Sequence, residues 1–355
     1  MDWFIMYIFM RIRYLLSFIV LFTLLACNSS GDSNLTKLPG ELQLVCNPME
    51  DFQLITRFPA FIEQYHGGII IFNPFEENGV FSVFNENTGE QTFSYGQRGK
   101  GPDEFFTPMI NRWIRKTNEL IVYDPNLLLF YVLEFSDTIV RKKSEIALPS
   151  EASLYESIIM IHQNLFAGIS FNHQGEIEMF DSKGNILSTA SYTPVKTPVD
   201  FAPSSILAYD EETGLLISAA IDFGYITAYE INESEPAIHK KWEIFISEVV
   251  LTNKNNNVIL DENKCLAGFT QLKFSGNKIF ALYKGKEINK HYGRSKEALP
   301  GNLLVIDTRG EIISNYSLGC PLIRFSVTGS SNQLIGITID ENFKLVCYDL
   351  PEELF

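Results

Sequence analysis

Six times along this chain a short apolar strand is broken by a polar turn and followed by a second apolar strand. The units read "GGIIIFNPFEENGVFSVFN", "NELIVYDPNLLLFYVLEF", "NLFAGISFNHQGEIEMFD", "GLLISAAIDFGYITAYEI", "NKIFALYKG…GNLLVIDTRGEII" and "NQLIGITIDENFKLVCYDL". They begin near Gly67, Asn118, Asn164, Gly214, Asn277 and Asn332, a period of about 45–60 residues. No long amphipathic helix pattern lies between them. Six such units fit an all-β fold, a six-bladed β-propeller whose four-stranded antiparallel blades surround a channel. In each unit the first strand is second in its blade and the next is third. The polar break between them then lies on the face where each outer strand crosses to the next blade's inner strand.

An open ring would leave unpaired strand edges, so the first blade must be clasped to the last. "ELQLVCNP", residues 41–48, is a lone strand ahead of the first repeat. It is expected to complete the last blade beside "FKLVCYDL", which would bring Cys46 near Cys347. Neither a CxxC nor a Cys/His cluster with zinc spacing is present. Besides Cys27, the cysteines are Cys46, Cys265, Cys320 and Cys347, and their spacing defines no disulfide framework. Buried free thiols are therefore the expectation. The abundance of Phe (28) and Tyr (15) suits pleated, half-buried surfaces. With 28 Lys+Arg against 43 Asp+Glu the formal charge is −15. Such a surface repels nucleic acid, and no basic patch offsets it.

The N-terminus reads as a targeting segment rather than part of the fold. In "MRIRYLLSFIVLFTLLAC" Arg11 and Arg13 form a positive region, and Leu15 to Leu25 is almost wholly apolar. Leu24-Leu25-Ala26-Cys27 resembles a bacterial lipobox, in which the cysteine becomes the lipidated first residue of the mature chain. Residues 1–27 are thus a lipoprotein signal peptide, with Met10 an alternative start because Met1–Phe9 is an unusual preface. A transmembrane anchor is the alternative reading. The apolar run is short for a bilayer span, and a small residue precedes the cysteine. Residues 28–40, "NSSGDSNLTKLPG", are small and polar, as a flexible tether should be. The propeller then occupies 41–355. By analogy with the enterobacterial sorting rule, Asn28 after the cysteine favours the outer membrane.

The stretch from Phe93 to Phe135 resembles an NHL-type repeat. It carries the pattern Gly96-x-x-Gly99-x-Gly101-Pro102-x-Glu104-Phe105-x-x-Pro108, then "ELIVYD", then a strand ending in Phe135. Its GPxEF core, the closing run from "NLLVIDTRGEII" to "KLVCYDLP" and the lipobox are similar to the TolB-like, six-bladed propeller lipoproteins of Bacteroidota. The likeness covers residues 40–355 by periodicity, and GPxEF is its sharp motif. It implies fold and envelope location and little about activity.

Three places could carry function. The first is the loop "YGQRGKGPDEFFTP", residues 95–108. It is neither a P-loop nor a dinucleotide loop, because Pro102 follows Gly101. A joint between blades accounts for it: glycines for positive φ, Pro102 for a fixed turn, Phe105 as a wedge, and Arg98 paired with Glu104. The functional alternative has Arg98 or Lys100 face the channel mouth and hold an anion. The second is the row of polar breaks at Asn73, Asp124, Asn172, Asp222, Lys284 and Asp340. Gluconolactonase-type propellers hold a divalent metal with such side chains, and oxygen ligands suit calcium or magnesium. Asn and Asp also cap turns without any metal, and Lys284 would put a cation in the ring. The third is the basic excursion "KGKEINKHYGRSKEALPG", residues 284–301, where His291 and Arg294 add charge and Tyr292 an aromatic surface suited to a sugar or peptide. His173 falls on the same face. Neither GxSxG nor HExxH is present.

These features point to a non-enzymatic binding or scaffolding lipoprotein of the cell envelope. It would attach to the membrane by its lipid anchor and use one propeller face for a protein, peptide or glycan, with no cofactor. The alternative is a hydrolase or lactonase with a divalent metal at the channel.

Overall fold

Each blade has four antiparallel strands, laid down in chain order with the inner strand first in blades one to five. The computed structural model describes residues 35–355, apart from 53, 55, 66, 102–103, 137, 172–174, 194–202, 255–256, 288–297 and 329–331. Thr36–Phe355 is one compact unit. The inner strands are Phe61–Tyr65, Met109–Ile114, Tyr155–His162, Ser205–Asp210, Phe269–Ser275 and Arg324–Thr328. The second strands, such as Glu119–Asp124 and Leu215–Ala220, are buried along their whole length. They are covered on both faces by neighbouring blades, so they read as continuous apolar runs. Outer strands such as Val140–Ala147 alternate exposed and partly buried positions, as one wetted face requires.

Large side chains fill the seams. Between blades one and two, Phe105 lies 5.9 Å from Phe81, 6.3 Å from Tyr95 and 5.1 Å from Tyr131 in edge-on contacts. Between blades two and three, Phe130 meets Phe166 at 5.3 Å. Comparable clusters join blades three to four, four to five, five to six and six to one. Polar ties run through the inner strands as well. Asn111 donates to Ile158 O at 2.6 Å and accepts from Met160 N at 3.0 Å, while Gln271 brackets Phe325 through both its backbone groups.

The clasp differs in detail from a single strand completing the last blade. The N-terminal segment splits. Asn47–Pro48 pairs antiparallel with Cys347 and Val346 and closes blade six. Glu41–Leu44 instead runs parallel along the outer strand of blade five, Ile312–Leu318. Cys46 sits at the crossing and forms a disulfide with Cys320, which follows that outer strand, with Cα atoms 5.8 Å apart. Cys347 lies opposite Asn47, so the alternation of side chains turns Cys46 away from it. Cys265 and Cys347 remain free thiols, and Cys46 and Cys320 do not. The chain also joins the propeller before Glu41: Thr36 N donates to Phe245 O at 2.6 Å, and Leu38 packs on the core of blades four and five.

Candidate functional site: the axial channel

The opening loop is a joint. Glu104–Phe105 adds a short parallel strand to blade one. Gly96, at φ +83°, faces Phe105 and Val80 so closely that an added Cβ would stand 2.7 Å from the ring. Glu104 turns its carboxylate onto the Gly101 amide at 2.8 Å rather than onto Arg98. Arg98 ends the outer strand, far from the axis. Lys100 holds its ammonium 4.3 Å over the Phe106 ring. Neither lines the axial cavity.

The polar breaks serve their own blades. Asp124 is fully buried; its Oδ2 accepts Phe106 N at 2.7 Å and Thr107 N at 2.8 Å, and its Oδ1 accepts the Thr107 hydroxyl at 2.9 Å. It therefore anchors the exit of the opening loop. Asn73 accepts Phe75 N at 3.0 Å and donates to Glu76 at 2.9 Å. Asp340 lies 3.4 Å from Lys344. Burial, with Glu156 and Glu262 nearby, raises the Asp222 carboxyl above its ordinary range. Burial, then Lys286, lowers the Lys284 ammonium. Among the described residues no three His, Cys, Asp or Glu side chains converge as metal ligands. Asn172, His173, His291, Tyr292, Arg294 and the lipobox Cys27 lie outside the described residues.

A cavity of about 680 Å³ runs along the axis between the inner strands. Pro74, Met109, Glu156 and Ile221 line its crossover end, and Lys116, Glu211 and Gly276 its other end. Inside, charges reach across the ring. Glu63 of blade one is 1% exposed and takes Lys273 of blade five in an ion pair, with Arg115 of blade two at 3.3 Å. The Ser326 hydroxyl of blade six donates to the same carboxylate at 2.8 Å. Arg115 also donates to Val327 O and, at 3.4 Å, to Ser275. One cluster therefore ties blades one, two, five and six. Burial pushes the Glu63 carboxyl up, but Lys273 and Arg115 together outweigh it and hold its pKa below the ordinary carboxylate value. Arg324 is held by neutral acceptors, Ala60 O and Ile323 O, each at 2.8 Å.

Arg112 is arranged differently. It reaches from blade two to blade four with its side chain 8% exposed, and its Nη2 lies 3.6 Å from Glu211. Its guanidinium stacks 5.2 Å from the Tyr209 ring. The Tyr209 hydroxyl is committed to Glu233 at 2.6 Å. Arg112 Nε and Nη1 have no hydrogen-bond partner. Leaving a buried donor unpaired costs about 1–3 kcal/mol. Burial pulls the guanidinium pKa down and Glu211 opposes this, and an arginine remains charged regardless.

None of these channel residues stood out in the sequence. A charge inside each short inner strand, as in "FIEQY", "MINRWI" and "FTQLKFS", was the available signal. The inner strands lie just upstream of the visible repeat unit, so that signal was not in register with it.

Sheet topology and channel define a six-bladed propeller whose axial cavity carries charged side chains among apolar ones. The chain belongs to the TolB-like 6-blade propeller-like family, which it matches over residues 46–329. Its fold is similar to that of a Bacteroides fragilis NCTC 9343 protein considered to be exported, at TM-score 0.53 and 13% identity over 88% of this chain and 97% of that one. The β-propeller domain of Cps50 (Swd1) from Myceliophteria thermophila aligns at TM-score 0.49 and 9% identity, over 82% of this chain and 97% of that domain. No curated protein matches the sequence.

Proposed function

We propose that this is an exported, lipid-anchored binding protein of the cell envelope that takes its ligand into the propeller channel and does no chemistry on it. The observation that carries the reading is the 680 Å³ cavity, the size of a small-molecule or side-chain site, lined by inner-strand side chains of several blades. Export is supported by the lipobox-like Leu24-Leu25-Ala26-Cys27, by the name of the Bacteroides fragilis relative and by a disulfide, which persists in oxidising compartments. Asn28 after the lipidated cysteine favours the outer membrane, and the ligand is a component of the envelope: a glycan, a peptide or part of a protein. The test is capture from solubilised envelope extract by the full-length protein, with elemental analysis of the same preparation. The reading expects a retained component that leaves unaltered when eluted. A stoichiometric divalent ion with turnover of the captured component, or no capture, would overturn it.

A further inference from the structure

We infer that the channel receives an anionic group of that ligand, a carboxylate or phosphate, at the Arg112 guanidinium. The inference deepens the binding role proposed above and rests on it. Arg112 lies inside the cavity with 8% of its side chain exposed and two N–H edges, Nε and Nη1, without an acceptor. Buried donors are paired in nearly all folded proteins, so two on one side chain point to an acceptor from outside the chain. Tyr209 covers one face of the guanidinium, and both unpaired N–H groups are buried within the cavity wall.

Charge points the same way. Five cations line the cavity: Arg112, Arg115, Lys116, Lys273 and Arg324. Only two carboxylates contact them, Glu63 and Glu211. Arg324 is held by backbone carbonyls alone. The other lining carboxylates are engaged or outside: Asp210 caps its own turn through Thr213 at 2.9 and 2.8 Å, and Glu156 and Glu212 are exposed at opposite mouths. Cations and carboxylates of the lining balance overall, but locally Arg324 meets no carboxylate and Arg112 contacts Glu211 alone, at 3.6 Å, with Asp210 and Glu233 further off. Buried charge without a counter-ion is costly, and an oxyanion matches both the charge and the planar donor edges of arginine. At the crossover mouth Met109 and Ile221 offer apolar contact to the carbon part of such a ligand.

The test is equilibrium dialysis of the full-length protein in detergent, with labelled succinate and with labelled inorganic phosphate at constant ionic strength. Wild type retains at least one of the two. Retention of succinate alone identifies a carboxylate ligand, and of phosphate alone a phosphorylated one. Arg112→Leu, and Arg112→Lys, which keeps the charge but loses the planar edges, weaken retention roughly tenfold or more. Arg98→Ala leaves it unchanged. Arg112→Lys carries the test if Arg112→Leu does not fold. Retention of neither probe by wild type, or undiminished retention by Arg112→Lys, overturns the inference. If wild type and Arg112→Lys capture the same envelope component equally, the inference falls while the binding role stands.

Discussion

The carboxylate of Glu63 and the ammonium of Lys273 meet inside the propeller although 210 residues separate them in sequence. Blade one is thereby joined to blade five across the sixth. Removing one partner of a buried pair leaves an uncompensated charge, a loss of roughly 3–5 kcal/mol. Lys273→Met should sit at the lower end of that range, because Arg115 still faces Glu63 at 3.3 Å. Urea unfolding of the variant against wild type measures it.

The same carboxylate sets a pH dependence. Glu63 titrates below its ordinary value in the fold, so its stabilisation is complete above the unfolded-state value of 4.5 and is lost as pH falls through the folded value. Melting temperature followed from neutral to acid pH should drop in that window. In Glu63→Gln the drop should be shallower, from a lower starting stability.

Cys46 and Cys320 close a loop spanning a sequence separation of 274 residues. Loss of a native disulfide typically costs 2–5 kcal/mol, or about that here. Reductant should therefore lower the melting temperature of wild type and leave a Cys46→Ser/Cys320→Ser double variant unmoved. Cys347→Ser should keep the wild-type response to reductant.

The joint between blades one and two depends on Phe105, which is 2% exposed. Phe105→Ala should destabilise by about 3–5 kcal/mol through the cavity it leaves. Asp124→Ala should also destabilise, because it strands the Phe106 and Thr107 amides. Calcium should not shift the melting temperature of wild type or of Asp124→Ala. A calcium-dependent rise lost in Asp124→Ala would restore the metal ring.

Membrane attachment is separately measurable. Cys27→Ala should move the protein from the membrane fraction to the soluble fraction. Retention in the membrane would favour the transmembrane reading of residues 10–27.

What the sequence disclosed follows from where each residue sits. Second strands such as Leu215–Ala220 are buried on both faces and appear as unbroken apolar runs, so the six repeats were legible. Phe105 as a wedge was legible for the same reason: a bulky apolar residue in a glycine-rich joint has few other uses. The clasp was only partly so, because a split strand puts Cys46 beside Cys320 and not beside Cys347, and local sequence does not encode that register. The channel was hidden. Arg112, Arg115, Glu63 and Lys273 acquire partners only when the ring closes, from residues 52 to 212 positions away in the case of Arg115. Loop cations such as Arg98 and Lys100 draw attention in a sequence, yet the topology carries them to the outer strand's end.

Hydroxyl-radical footprinting of the full-length protein, with and without solubilised envelope extract, tests most directly whether the channel takes the ligand. Met109 at the crossover mouth is 56% exposed, and Ile186 on the outer strand of blade three is 49% exposed. A ligand in the channel should slow oxidation of Met109 and leave Ile186 unchanged. Equal oxidation of Met109 under both conditions would contradict a channel-binding role.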